Sequence, residues 1–276
     1  KTILNTNEAA RIFTGSKVPE NCDTVIMQEF TKVENNQLFI DDESLKTGGN
    51  IRTKGYQIKQ GDMALSKGTV LNPAAIGFLA TLGITEVSVF TLPKVNILIT
   101  GNELVAPGEK LDEGQIYESN SLILKAAFEK MNISPTISYL KDNQEATTNA
   151  ITNALNNADM VILSGGISVG DYDFVQQGIL ENGVSQIFYK VAQKPGKPLF
   201  FGKKENKAVF GLPGNPAAAL TCFYEYIYPY INLSFGLKQA FLNQLQLPLS
   251  KDIKQKPGRA TFLKATTDFK TVTPLE

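Results

Sequence analysis

The sequence predicts a multidomain protein of the α/β plus β class, built around an open α/β sheet domain. Residues 94–238 alternate short apolar runs with amphipathic segments of helical length, which is typical of an open sheet with helices on both faces. The residues before them contain short β-type runs separated by turn formers, and the last residues again suggest a β module. We therefore expect four parts: 1–48, 49–93, 94–238 and 239–276.

The first two parts differ in kind. Residues 1–48 form a β-rich module in which runs 24–27 and 37–40 are predicted strands. Residues 49–93 form a small mixed module, because Asn72 and Pro73 start a helix over 74–82, Gly83 ends it, and residues 85–90 alternate like a strand.

The elements of the central domain follow from its periodicity. The predicted strands are 95–99, 136–139, 160–163, 186–189, 198–201 and 208–211, and the predicted helices are 121–131, 144–157, one after Asp173 and one after Pro216. The final β module, 239–276, is cut short. The chain starts at Lys1 without a methionine and stops at Glu276, so we interpret it as a piece of a longer protein.

Composition excludes several classes of function. The 27 basic and 27 acidic residues cancel, so we expect neither a nucleic acid nor a membrane as partner. No apolar run is long enough to span a bilayer and no signal sequence is evident, which predicts a cytoplasmic protein. The absence of histidine rules out imidazole acid-base chemistry, whereas carboxylates, lysines and backbone amides suit phosphates and magnesium.

Three loops that leave predicted strands should meet where ligands bind in open α/β sheets. The first is residues 164–173, in which Gly165 and Gly166 allow backbone N–H groups to approach an anion. Asp171 and Asp173 beside such a cradle would repel the anion unless a cation lies between them, which suggests Mg²⁺. A structural turn with an aspartate cap is the alternative reading.

The second loop joins Thr100 and Gly101 to a predicted helix, and two of its carboxylates, Glu103 and Glu118, could face the cleft. The alternatives are a solvated loop for Glu103 and stabilisation of the first helical turn for Glu118.

The third loop has two parts. Lys194 and Lys197 lie among prolines, which make the backbone of this segment rigid. Their positive charges suit a phosphate. Further on, Asn215 as a cap and Pro216 as the first helical residue would aim a positive helix end at the same place.

The segments 164–173, 194–198 and 211–216, in this order, resemble the MoeA and gephyrin E-domain family of molybdopterin molybdenumtransferases. Residues 11–15, 18–19, 25–29 and 49–52 match it as well, so the resemblance covers nearly the whole chain. It implies that the central part is a MogA-like molybdopterin-binding domain and that residues 239–276 are part of a truncated C-terminal β-barrel.

The resemblance also implies the activity and the partners. The family inserts molybdate into adenylyl-molybdopterin and releases AMP, with Mg²⁺ as the expected cofactor. It forms homodimers in which Thr14 and Arg52 would act in trans, and a MogA-type adenylyltransferase is a possible further partner.

Site roles follow from the motifs and the resemblance together. The predicted catalytic residues are Asp173, Glu103 and Glu118, with Glu103 and Asp173 as metal ligands. The predicted substrate-binding residues are Thr14, Arg52, Thr100, Gly101, Ser164, Gly165, Gly166, Ser168, Asp171, Lys194, Lys197, Pro213, Gly214, Asn215 and Pro216.

Three departures from the family pattern matter. Asn102 and Glu118 stand where the family has aspartates, and Tyr56 and Gln57 replace a Glu-Asp pair. The last change leaves open a catalytically impaired pterin-binding or scaffold protein. A MogA-type adenylyltransferase and a CinA-like hydrolase are weaker rivals, because those relatives lack modules like residues 11–52.

Overall fold

The computed structural model describes residues 3–140, 143–166, 174–255 and 257–275. The chain divides into two compact units, Lys1–Ser66 and Lys67–Glu276. The four part boundaries expected from the sequence stay predictions.

The first unit contains a β-hairpin of β1 (Thr31–Glu34) and β2 (Gln37–Ile40), paired antiparallel. Asn35 and Asn36 form its turn with φ of 48° and 62°, a left-handed conformation that asparagine tolerates. The predicted strand at 37–40 is confirmed. The strand predicted at 24–27 is wrong: Val25 N donates one hydrogen bond to the Gly49 carbonyl, and residues 24–27 lie outside any strand described.

The second unit contains the α/β sheet. Its helices are α1 (Pro73–Thr81), α2 (Asn120–Glu129), α3 (Gln144–Asn157), α4 (Phe174–Glu181), α5 (Pro216–Cys222) and α6 (Tyr228–Ser234), with a π-helical turn, Phe223–Ile227, joining the last two. Its strands are β3 (Val95–Thr100), β4 (Leu104–Val105), β5 (Ile116–Tyr117), β6 (Thr136–Leu140), β7 (Met160–Ser164), β8 (Ser185–Tyr189), β9 (Gln193–Lys194), β10 (Phe200–Lys204), β11 (Lys207–Leu212), β12 (Ala260–Thr261), β13 (Ala265–Thr267) and β14 (Val272–Pro274).

Six of these strands form one mixed sheet in the order β6-β3-β7-β11-β10-β8. The pairs β3–β6, β3–β7 and β7–β11 are parallel, whereas β10 runs antiparallel to both of its neighbours. Every strand and helix predicted for the central domain is confirmed within a few residues. The sequence pattern did not predict that β10 runs antiparallel to its neighbours. Its direction follows from its hairpin with β11.

Helices cover both faces, as predicted, because the strands are apolar on both sides. Ile97 and Ile162 face a core that includes Phe128 on α2 and Phe223 on the π-helical turn. Leu98 and its neighbours face a second core, with members Ile151, Leu155, Val161, Leu163, Val175 and Ile179.

The segment before the sheet is only partly as predicted. Asn72 caps α1 by accepting a hydrogen bond from Ala75 N at 2.9 Å, and Gly83 beyond it has a φ of 74°. The strand predicted at 85–90 is wrong. Those residues pair with no described strand, and alternation of side chains does not make a strand without a neighbour to bond its backbone.

The last residues form small β elements. Strand β12 pairs in parallel with β9, and β13 pairs antiparallel with β14. The truncated barrel expected there stays a prediction. Within the described ranges, no helix has the length and apolar character needed to cross a membrane.

Candidate functional site

The carboxyl ends of the central strands lie side by side, as the sequence predicts. Ser164 at the end of β7 is in register with Ile99 on β3 and with Leu212 on β11. The loops that follow these strands therefore start from the same edge of the sheet.

The first loop begins with two positions that only glycine can occupy. Gly165 has a φ of 98°, and a Cβ there would overlap the Thr100 carbonyl oxygen. Gly166 has a φ of 65°, and its Cβ would lie 2.6 Å from Val175 Cγ2. The ends of β3 and β7 thus approach closely, with the Thr100 side chain buried between them. Three predicted site residues of this loop, Ser168, Asp171 and Asp173, lie outside the described residues.

Asn120, at the start of α2, joins these loops. Its Nδ2 donates to Ser164 Oγ at 2.8 Å and to the Gly214 carbonyl oxygen at 2.8 Å. Both Asn120 and Ser164 are buried. One side-chain amide thus connects the ends of β7 and β11 with α2. Sequence reasoning missed this residue, although its position at a predicted helix start was a usable signal.

Glu118 is buried and stabilises the first turn of α2, which was one of its two readings. Its carboxylate accepts hydrogen bonds from Ser121 N at 2.8 Å and from Ser121 Oγ. Ser121 Oγ also lies 3.1 Å from the Tyr139 hydroxyl at the end of β6. The carboxylate is therefore held at the site edge with much of its acceptor capacity in use.

Glu103, the first carboxylate of the second loop, is exposed. Its backbone oxygen accepts a hydrogen bond from Ile116 N at 2.9 Å, next to the short parallel pair β4–β5. Gly101, with a φ of 146°, packs on Leu104 so closely that a Cβ would lie 2.8 Å from its Cδ1. The described ranges contain no group of three His, Cys, Asp or Glu side chains that could hold a metal ion.

The loop between β11 and α5 has the predicted cap. Asn215 Oδ1 accepts from Ala218 N at 3.1 Å, and Pro216 is the first helical residue. Gly214, Asn215 and Pro216 are exposed, whereas Pro213 is buried. The N-terminus of α5 therefore opens to solvent beside the Gly214 carbonyl that Asn120 holds.

The lysine loop, residues 194–197, lies at the same edge because β10 runs antiparallel: Phe200 at its start pairs with Gly211 and Tyr189. Lys194 and Lys197 are exposed. Beneath the loop lies Cys222, and burial raises the pKa of its thiol from 9.0 to about 12. The thiol is therefore neutral at physiological pH.

Thr14 and Arg52 belong to the first unit, Lys1–Ser66, and both are exposed. The Arg52 guanidinium carbon lies 5.7 Å from the centre of the Tyr56 ring. Tyr56 is one of the two residues of the third departure from the family pattern, so an aromatic face stands beside this arginine where an acid was expected.

Comparison with known proteins agrees with this architecture. Residues 96–233 match the family described as "Probable molybdopterin binding domain", and residues 1–83 match the one described as "MoeA N-terminal region (domain I and II)". Among solved structures, the molybdopterin biosynthesis moeA protein of Pyrococcus horikoshii OT3 superposes with a TM-score of 0.82 at 29% identity, covering 99% of this chain and 67% of that one.

Two relatives found by sequence have the same protein name. The molybdopterin molybdenumtransferase of Haemophilus influenzae is 42% identical over 232 residues, which cover 84% of this chain and 57% of that protein. The one of a Nostoc species is 40% identical over 245 residues, covering 87% of this chain and 56% of that protein. The chain thus spans little more than half the length of these relatives. With family matches over both units and the superposition on a MoeA structure, the chain belongs to the MoeA family.

Proposed function

We propose that this chain is part of a molybdopterin molybdenumtransferase, which inserts molybdate into adenylyl-molybdopterin and releases AMP in molybdenum cofactor biosynthesis. The observation that carries the proposal is the Asn120 amide, which joins the Gly165–Gly166 end of β7 to the loop before α5. The names of the relatives support it independently.

The loops suit a substrate rich in phosphate. Gly165 and Gly166 bring main chain to the sheet edge without side chains in the way, and the exposed Lys194 and Lys197 supply positive charge. Water attacks the phosphorus of the AMP half and breaks the phosphoanhydride bond, so that AMP leaves and the pterin keeps its own phosphate. The two S–H groups of the pterin dithiol then give their protons to one molybdate oxygen, which leaves as water while both sulfurs bond to molybdenum.

The roles of the predicted site residues are part of this proposal. Thr100, Gly101, Ser164, Pro213, Gly214, Asn215 and Pro216 line or support the substrate loops together with the glycines and lysines. Ser168, Asp171 and Asp173 retain the roles that the resemblance implies. Glu118 keeps the catalytic role predicted from the sequence, and its carboxylate also holds the start of α2 through Ser121.

The carboxylates proposed for this edge of the sheet suit Mg²⁺. Mg²⁺ is usually held by one or two carboxylates together with substrate phosphates. Glu103 supplies one exposed carboxylate at the edge, and Asp173 is the second proposed ligand. When bound, the ion would neutralise charge on the phosphate oxygens, and Glu103 would orient it from the second loop.

The assembly and the setting of the protein are also proposals. We propose a homodimer in which Thr14 and Arg52 of one copy serve the α/β domain of the other, as the resemblance implies. A MogA-type adenylyltransferase is the proposed source of the adenylylated substrate, and the proposed compartment is the cytoplasm.

The test is AMP release from adenylyl-molybdopterin with Mg²⁺, with and without molybdate, by the full-length protein. Wild type should release AMP in a molybdate-dependent manner. Asn120→Ala should lower kcat/KM by roughly tenfold to a hundredfold, because the buried Ser164 hydroxyl and the Gly214 carbonyl lose their donor and the loops separate. Asn157→Ala is the matched control, since Asn157 is exposed and bonds only the Asn153 carbonyl of its own helix among the bonds described.

Each contrary result is informative. Tight substrate binding without release would make this a pterin-binding or scaffold protein, with Tyr56 and Gln57 as the cause of its inactivity. Equal activity of the Asn120 and Asn157 variants would show that the bridge between the loops does not organise the site.

A further inference from the structure

The lysine loop presents two charges to solvent from a buried backbone. Lys194 and Lys197 are exposed, whereas Gly196 between them is buried. A lysine carries a compact charge on a flexible stem, so the position of its backbone decides which volume the charge can reach. The contacts under the loop are therefore important for any anion that the two lysines bind.

Gln193 lies directly under the loop and is 3% exposed. Its Nε2 donates to the Pro195 carbonyl oxygen at 3.0 Å and to Cys222 Sγ at 3.6 Å. Its Oε1 accepts a hydrogen bond from the Tyr226 hydroxyl. Both ends of the buried amide thus have partners, and losing one would leave a buried polar group unsatisfied.

Gly196 packs on the same group of side chains. It has a φ of 93°, and a Cβ there would lie 2.6 Å from Cys222 Sγ and 2.6 Å from Gln193 Nε2. The neutral Cys222 thiol donates to the Gly196 carbonyl oxygen at 3.8 Å. The loop therefore rests on the amide and the thiol with no space between them.

A second contact holds only the start of the loop. Phe262 N donates to the Lys194 carbonyl oxygen at 2.8 Å, and Ala260 N donates to the Ala192 carbonyl oxygen at 2.8 Å. These bonds belong to the β9–β12 pair. After Lys194, Gln193 donates a hydrogen bond to the Pro195 carbonyl and Cys222 donates one to the Gly196 carbonyl.

We propose that Gln193 is a positioning residue, which holds the lysine loop through the Pro195 carbonyl so that Lys194 and Lys197 meet the phosphate groups of the substrate. This inference rests on the proposed function, which supplies those phosphates. Gln193 does not touch the substrate, because it is buried under the loop. It acts through the backbone that carries the two charges.

The experiment compares three variants of the full-length protein. Gln193→Met keeps the length of the side chain and removes the amide. Tyr226→Phe removes only the donor to Gln193 Oε1. Tyr230→Phe is the matched control, because Tyr230 belongs to the same aromatic cluster and packs on Phe201 and Phe210.

A positioning role predicts weaker substrate binding in a protein that stays folded under the assay conditions. KM for adenylyl-molybdopterin should rise roughly tenfold in Gln193→Met and several-fold in Tyr226→Phe, with kcat changed by less than about twofold. Tyr230→Phe should keep the wild-type KM. Tyr226→Phe should unfold at a lower urea concentration than Tyr230→Phe, because Gln193 Oε1 loses its donor, and both variants should be fully folded under the assay conditions. An unchanged KM in Gln193→Met, or equal KM changes in the two tyrosine variants, would overturn the proposal.

A second measurement does not depend on turnover. Amide hydrogen exchange in residues 193–199 should be faster in Gln193→Met than in wild type, while exchange in β11 stays the same. If wild type releases no AMP, the proposed function fails, and this measurement still decides whether Gln193 holds the loop. Unchanged exchange in 193–199 would show that it does not.

Discussion

Single side chains connect segments of the site that are far apart in the chain. Asn120 bonds Ser164 and the Gly214 carbonyl, and Gln193 bonds both Cys222 and Tyr226. Buried polar groups of this kind cost stability unless every partner is present, so their effects should appear in stability as well as in binding.

The Cys222 thiol gives a prediction about alkaline pH. Burial raises its pKa from 9.0 to about 12. Because the pKa is higher in the folded protein, its contribution to stability is complete below pH 9.0 and is lost as pH rises toward 12. The free energy of unfolding should therefore fall in that range.

Comparison of wild type with Cys222→Ala isolates this contribution. The alanine variant lacks the ionising thiol, so the stability advantage of wild type should shrink by roughly 2 kcal/mol between about pH 8 and about pH 11. Urea denaturation at the two pH values measures it, with Cys22→Ala as the control for removing a cysteine. A difference between wild type and Cys222→Ala that does not change with pH contradicts the prediction.

Among the elements, helix α3 is capped at its C-terminus by a side chain from a strand that is distant in sequence. Lys207 Nζ, on β11, donates to the Leu155 carbonyl oxygen and to the Ala158 carbonyl oxygen, the latter at 3.2 Å. A cation there satisfies free carbonyls and complements the helix dipole. The link ties α3 to the strand that leads into the candidate site.

Removing this cap should weaken the whole α/β domain. Lys207→Met is expected to lower the free energy of unfolding by about 1–2 kcal/mol, because two carbonyls lose a charged donor. Lys203→Met on the neighbouring β10 is the control, since Lys203 is exposed and its loss should cost less than about 0.5 kcal/mol. Equal effects of the two changes in chemical denaturation would argue against the cap.

For the whole molecule, the proposed dimer predicts complementation between inactive variants. Arg52→Ala and Lys197→Ala affect different units, so a mixed dimer would carry one site with both changes and one site with neither. After unfolding and refolding together in equal amounts, AMP release should recover to about a quarter of the wild-type rate.

The control for complementation is a mixture of Lys194→Ala and Lys197→Ala. Both changes fall in one unit, so every site of a mixed dimer keeps a defect. Absence of recovery in the first mixture, with sedimentation showing dimers, would exclude a site shared between copies.

The sequence by itself determined the order of strands and helices in the α/β domain, the glycines at the end of β7 and the cap at Asn215. These features depend on local periodicity and backbone conformation, which neighbouring residues specify. It also indicated the family, because motifs at 164–173, 194–198 and 211–216 occur in one order.

Only the tertiary structure decided which segments pair and which side chains meet. Runs 24–27 and 85–90 have strand-like sequences but pair with no strand in the part of the chain that the structure describes, because pairing depends on residues elsewhere in the chain. The bonds of Asn120, Gln193 and Lys207 reach across as many as 94 residues. No local pattern encodes such contacts, since they exist only after the sheet has brought its strands together.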